Sequence, residues 1–248
     1  MLFAASGYMF EDFIHDTSEI TSREKLYEVF REAMGALGYD RVNFSIGRDQ
    51  DVPASEMGFG LISNYPTDWQ KYYAEKNFVK IDPVFRCAVS HYGPFRWSDL
   101  ERKLRLSDKQ IRFLRMGEEA GLNNGIGIPF NGPRLQIAGV GLATSAKQIK
   151  PYAKLDLVSA YCNQFYTVYK RIVAKSHGLT PEMAVLSSRE REILTWVAHG
   201  KTDDDIGCIL GISSNTVDYH IRNIYGKLGV NNRVVAAIKG ISNGFIEL

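Results

Sequence analysis

The 248-residue chain is 45% hydrophobic and 23% charged, with a formal charge of +2. Such proportions fit one large or two small globular domains and exclude disorder, collagen and disulfide scaffolds. No apolar run reaches the roughly 18–20 residues of a bilayer span, and no basic residue precedes the apolar stretch at the start, so we expect a cytoplasmic chain with no signal peptide and no membrane partner. Cys87, Cys162 and Cys208 are odd in number and widely spaced, which suits reduced, half-buried apolar residues.

Thr21 to Glu24 has capping-box spacing, and Leu26, Val29, Phe30, Ala33, Met34 and Leu37 then recur at helical intervals up to Gly38. Val42 to Gly47, Gly58 to Ser63, Ile126 to Phe130 and Leu135 to Ala143 read as strands, the last two joined in a hairpin around Asn131-Gly132-Pro133. Residues 66–90 and 107–121 read as helical. From Pro151 a seam of Leu155, Val158, Cys162, Phe165, Tyr169 and Ile172 steps by three and four, and needs the sheet or a second subunit as partner. These patterns predict an α+β architecture: an N-terminal α/β/α sandwich with a mainly antiparallel sheet, followed by an all-α C-terminal domain. The expected boundaries are residues 1–173, a linker over 174–186 where His177-Gly178-Leu179-Thr180-Pro181 breaks the helix, and residues 187–248.

The C-terminal part carries 7 basic and 7 acidic residues, with the acids early and most bases late. Ser187 and Thr202 are expected to cap the first two of four short helices, with Ile206, Ile209 and Leu210 inward, Gly211 in a tight turn, and Ser213 or Ser214 opening the third. That is the pattern of a helix-turn-helix, whose second helix enters the major groove of double-stranded DNA. Val217, Ile221, Ile224 and Leu228 would be buried, leaving Asn215, Asp218, Tyr219 and Arg222 for base edges. Ser214, Thr216, His220, Lys227 and Arg233 flank this face and suit phosphates.

The string from Leu186 onward, including Glu190, Leu194, Gly200 and the run SSNTVDYHIRNIYGKLGVNNR, resembles the four-helix DNA-binding domain of the LuxR type. That resemblance implies a dimer contact on the last helix, at Val235, Ala236 and Ile238 to Ile241. Upstream, NYPTDWQKYYAEKNFVKIDPVFRCAV, PFRW and EAGLNNGIGIPF resemble the ligand-binding domain of LuxR-type quorum-sensing receptors for N-acyl homoserine lactones. The resemblance implies that Trp69 donates to the lactone carbonyl, Asp82 accepts the amide N–H, Tyr65 meets the amide carbonyl, Tyr73 and Trp97 form aromatic walls, and Gly125 precedes a sheet strand. The alternative for Asp82 is that it chiefly caps a helix or turn before Pro83. Gly141 stands where many relatives carry Ser or Thr, with Gly139 on the same strand face, so extra room for a bulky, branched or aryl acyl group, or for a chain that turns into the gap, is expected there. Asn43 offers a compensating polar group or simply faces solvent.

No nucleophile elbow, zinc-protease helix or phosphate loop is present, and the five histidines are scattered, so neither catalysis nor a metal or cofactor is expected. The resemblances imply a ligand-responsive regulator of quorum-sensing genes that acts as a homodimer on pseudo-palindromic promoter DNA, with RNA polymerase a further candidate partner. A receptor of the same architecture for another small molecule, a ligand-independent regulator and a lactone-cleaving enzyme stay open as alternatives.

Overall fold

In the computed structural model, which describes residues 8–91, 93–132, 136–148, 154–178 and 186–247, the chain divides into two units. The first holds residues up to Asn131 together with Gln136 onward to the end of its last helix, and the second holds residues 186–247.

The first unit opens with α1 (Phe10–Ser18) and α2 (Arg23–Ala36), followed by β1 (Arg41–Arg48) and β2 (Gly58–Ser63). Ser22, rather than Thr21, caps α2: its side chain accepts from the Lys25 N–H. Residues 66–90 are not one helix but α3 (Thr67–Glu75), a 3-10 turn at Phe78–Lys80 and α4 (Pro83–Ser90). Asn77 sits in the left-handed region at φ 51°, which ends the first segment, and Asp82-Pro83 starts the next. Then come β3 (Phe95–Arg96), α5 (Leu100–Lys103), α6 (Asp108–Glu119), β4 (Asn123–Gly132), β5 (Gln136–Thr144) and α7 (Leu155–Ser176). Pro133, Leu135, Pro151 and most of the expected linker, 179–185, lie outside the described residues. α7 runs past the expected boundary at residue 173 to Ser176.

The strands form one sheet in the order β2-β1-β5-β4-β3, and β1 pairs antiparallel with both β2 and β5. Strand alternation assigns the two faces. Val42, Phe44 and Ile46 of β1, Ile126 and Ile128 of β4, and Val140 and Leu142 of β5 are buried against α1, α2 and α7. There Phe165 stacks on Phe30 with centroids 4.3 Å apart and meets Phe44 edge-on at 5.1 Å. The α7 seam thus finds its partner within the same chain. The intervening residues, Asn43, Ser45 and Gly47 of β1 and Gly139 and Gly141 of β5, turn to the opposite face. Cys87 and Cys162 are fully buried rather than half-buried, and Cys208 is exposed.

The second unit consists of α8 (Ser188–Ala198), α9 (Asp203–Leu210), α10 (Ser214–Leu228) and α11 (Arg233–Ser242). Ser187, Thr202, Ser213 and Asn232 each cap a helix by accepting a backbone N–H. The core is Leu186, Ile193, Leu194, Val197, Ile206, Val217, Ile221, Ile224, Leu228, Ala236 and Ile246, so Leu186 belongs to it and not to the linker. Ile209 is 45% exposed, against the expectation that it faces inward. α9 instead buries Ile206 and Gly207, and a Cβ on Gly207 would stand 2.7 Å from the Ile212 carbonyl oxygen. This close approach sets the tight turn from α9 to α10, with Gly211 in the left-handed region at φ 65°.

Candidate functional site

A cavity of about 250 Å³ lies on the sheet face turned away from α7. Its floor is the small residues that alternation places there, Gly47, Gly127, Gly139 and Gly141 among them, and its walls come from α3, α4, α6 and Trp97. Glycine at these positions makes room for protein as much as for ligand. A Cβ on Gly125 would lie 2.1 Å from the Trp97 ring, and one on Gly127 would lie 2.4 Å from the Phe95 ring. Gly125 is therefore inside β4 rather than before a strand, and it lets the indole lie flat on the sheet.

Among the described residues, Asp82 is the one carboxylate lining the cavity. Its Oδ1 accepts from the N–H groups of Val84 (2.7 Å) and Phe85 (3.3 Å), capping α4, and its Oδ2 accepts from the Tyr73 hydroxyl at 2.9 Å. Capping and cavity lining are thus the same arrangement. Burial pushes its carboxyl up to about 6, although Tyr73 and the two N–H groups favour the charge. Burial and then the neighbouring Asp82 charge raise the Tyr65 and Tyr73 hydroxyls well above the ordinary tyrosine range. Trp69, 8% exposed, packs among Tyr73, Phe78 and Phe113, with its ring centroid 5.6 Å from that of Phe113.

All seven residues expected to bind a ligand, Asn43, Tyr65, Trp69, Tyr73, Asp82, Trp97 and Gly141, line this one cavity. Asn43 faces the cavity, its amide nitrogen 3.3 Å from Ser45 Oγ. The room expected at Gly141 is taken by the protein, because a Cβ there would sit 2.9 Å from the Tyr65 hydroxyl oxygen. Tyr65 Oη and Trp97 Nε1 are buried without a hydrogen-bond partner. Phe59, Gln70, Phe85, Phe113 and Leu114 also line the cavity and were not singled out by sequence. Continuing the β1 alternation from Asn43 would have added Ser45 and Gly47.

In the second unit α10 buries Val217, Ile221, Ile224 and Leu228 and turns Asn215, Tyr219 and Arg222 outward, Tyr219 being 62% exposed. Asp218 and Arg222 pair at 2.7 Å on the surface. Ser214, Thr216 and His220 border this face half-buried, and the Thr216 hydroxyl shares a hydrogen bond with Ser213. Lys227 and Arg233 are partly exposed, and each also carries an ion pair within the unit. Lys227 Nζ lies 2.7 Å from the buried Glu190 carboxylate, while Arg233 bonds Asp203 at 2.5 Å and the Lys201 carbonyl. Burial alone would raise Glu190, but Lys227 and the Ser187 N–H and hydroxyl outweigh it and hold the carboxyl below its ordinary range. Charge counting along a sequence cannot tell such internally paired cations from free ones.

Residues 22–163 match the autoinducer binding domain family, and residues 184–239 match the luxR family of bacterial regulatory proteins. The chain belongs to the LuxR family. Its relatives include the transcriptional activator protein VanR of Vibrio anguillarum, 31% identical over 94% of this chain and 96% of that protein. An HTH-type transcriptional regulator designated y4qH, from Sinorhizobium fredii, is 38% identical over 75% of this chain, which spans only 57% of that protein's length. Among solved structures, Escherichia coli SdiA superposes with a TM-score of 0.68 at 25% identity, covering 97% of this chain and all of that one.

As a LuxR-family regulator, the chain joins a domain for a small-molecule signal to a helix-turn-helix. On α11 two residues of the expected dimer contact are not available, since Ala236 is fully buried and Gly240 packs on Leu194 and Ile246. The exposed apolar residues there are Val234, Val235, Ile238 and Ile241. No group of three or more His, Cys, Asp or Glu side chains among the described residues could hold a metal, and no described helix is long and apolar enough to cross a membrane.

Proposed function

We propose that this chain is a cytoplasmic, ligand-responsive transcription factor that encloses an N-acyl-L-homoserine lactone and binds promoter DNA as a homodimer. The observation that carries the reading is the set of polar atoms in an otherwise apolar cavity. The Asp82 carboxylate has three donors and room for a fourth, and Tyr65 beside it has none. An acyl amide brings one N–H donor and one carbonyl acceptor on an apolar tail, the complement of that pair. In this reading Asp82 accepts the amide N–H, Tyr65 donates to the amide carbonyl, Trp69 donates to the lactone carbonyl, Tyr73 positions Asp82, and Asn43 and Trp97 bound the acyl group. The cavity binds the lactone without cleaving it, and no metal or cofactor takes part.

On DNA, Asn215, Asp218, Tyr219 and Arg222 read base edges while Ser214, Thr216 and His220 approach phosphates. Lys227 and Arg233 serve the fold. Val234, Val235, Ile238 and Ile241 form the contact between two copies, which places half-sites about 10 bp apart or a multiple of that. RNA polymerase is the natural further partner of a promoter-bound regulator.

Thermal unfolding of the full chain with L- and D-acyl homoserine lactones tests the reading. A ligand at about 100 times its dissociation constant adds roughly 2.7 kcal/mol to native stability. We expect a rise for the L-lactone only, recovery of the lactone intact, and tighter or weaker retention of a promoter fragment when it is bound. Absence of any stereospecific rise, or release of ring-opened product, refutes it.

A further inference from the structure

The outward face of α10 carries Asn215, Asp218, Tyr219 and Arg222, and its two charges cancel. In an element that enters the groove of a polyanion a carboxylate is unfavourable, because it meets phosphates of its own sign. The fold has little use for it either. The ion pair that Asp218 makes with Arg222 leaves the arginine side chain 76% exposed, and an exposed pair one helical turn apart adds very little to stability. Lys227 and Arg233 pair with Glu190 and Asp203 on other helices, whereas Asp218 and Arg222 join no second element.

Their geometry suits a different task. Oδ2 of Asp218 lies 2.7 Å from Nη2 of Arg222, with the acid on the N-terminal side, the favourable order for an i, i+4 pair. A guanidinium carries five N–H donors in one rigid plane, and a guanine edge takes two of them at O6 and N7. Held along one side by a carboxylate, that plane loses much of the freedom of its long stem and keeps enough donors for the base. Oδ1 of Asp218 is then left for an amino hydrogen, from N4 of cytosine or N6 of adenine. Docking removes water from both groups, which strengthens a pair that solvent screens in the free chain.

We propose that Asp218 and Arg222 read DNA as one unit: Asp218 positions the guanidinium on a guanine and accepts from cytosine or adenine in the neighbouring base pair. Asp218 is the specificity-determining member, adding discrimination while subtracting affinity. This rests on the DNA-binding reading above and deepens it.

The full chain, with and without an acyl homoserine lactone, first selects from a duplex library of random sequence, and the enriched duplex becomes the probe. Fluorescence anisotropy at one salt concentration then compares that duplex, its single-base variants and an unrelated duplex. The proteins are wild type, Asp218→Ala, Arg222→Ala and the double variant. Asp218→Ala should bind the unrelated duplex as tightly as wild type or several-fold more tightly, yet lose about tenfold of the preference for one guanine, the scale of a bidentate base contact. Arg222→Ala should abolish that preference, and the same substitution should change little once Asp218 is gone. Because both side chains lie on the surface, each variant should melt as wild type does. Additive losses, a guanine preference that survives Asp218→Ala, an equal fall in affinity on every duplex, or a large fall in melting temperature each overturns the unit and leaves DNA binding standing. If no duplex is enriched under either condition, the DNA-binding reading itself falls, and this one with it.

Discussion

The two units differ in how completely they satisfy themselves. In the second, each of the four helices has a side-chain cap, the buried Glu190 has Lys227 and Ser187, and the core closes around Ile206, Val217 and Ile224. In the first, one sheet face is packed with aromatic side chains, while the other encloses a cavity with an ionisable carboxyl and two unpaired polar atoms. A unit that is complete alone has a stability fixed by its sequence. One that lacks partners for buried groups has a stability that a ligand can change, and that difference is what makes it a sensor.

The contrast breaks most clearly at Asp82. Asp82→Ala removes the α4 cap, worth about 1 kcal/mol, and the anchor for the ligand, so lactone-induced stabilisation should vanish while the second unit melts as before. Retained ligand response in differential scanning calorimetry would end the assignment.

Next in size is a pH effect. The Asp82 carboxyl is raised from 3.8 to about 6 in the folded chain. Well below pH 3.8 it is neutral whether folded or not. Between there and about 6 the unfolded carboxyl ionises while the buried one keeps its proton, so ligand-free stability falls by roughly 2–3 kcal/mol as pH rises and levels off above. Ligand affinity runs the other way, increasing through about 6 as the ionised carboxylate becomes available to the amide N–H. Asp82→Asn should flatten both curves, and urea melts and titrations from pH 4 to 8 check the two signs.

Gly125→Ala drives a methyl into the Trp97 ring and should cost roughly 1–3 kcal/mol, confined to the first unit. Arg222→Ala should weaken operator binding by roughly 1–3 kcal/mol and relax one base position. It should scarcely move the melting temperature, because the pair with Asp218 is exposed. Uniform weakening across operator variants would make Arg222 a phosphate contact.

Periodic signals carried most of the fold into the sequence. The buried faces of α2, α7 and α10 follow their three-and-four spacing, and β1 follows its alternation. Short or unpunctuated elements were not legible. α1 has Met9 at its cap position, with Asp12 reaching back to the Met9 N–H, so no polar residue marks its start. β3 is two residues long, too short for any period. Ile209 was misplaced because eight residues of helix do not fix which side faces inward, and the Gly207 approach to Ile212 settles it. The cavity residues were legible as a set through their resemblance to a family. What they do for each other was not, because Tyr65 filling the space at Gly141 is a contact between distant parts of the chain.

The glycine floor also constrains how this receptor could change its signal over generations. Gly125 and Trp97, and likewise Gly127 and Phe95, are locks in which a larger residue on the strand demands a smaller ring above it. Either member altered alone is a loss, so new specificities at these places should arise as paired substitutions. Gly139 has no such partner, because a Cβ there would meet the Ile128 carbonyl oxygen at 2.9 Å, and backbone cannot be traded away. That position should stay fixed while its neighbours drift in pairs, leaving Gly141, where a Cβ would meet at 2.9 Å not a ring but the terminal hydroxyl oxygen of Tyr65, as the point where a single step has the best chance of retuning the cavity.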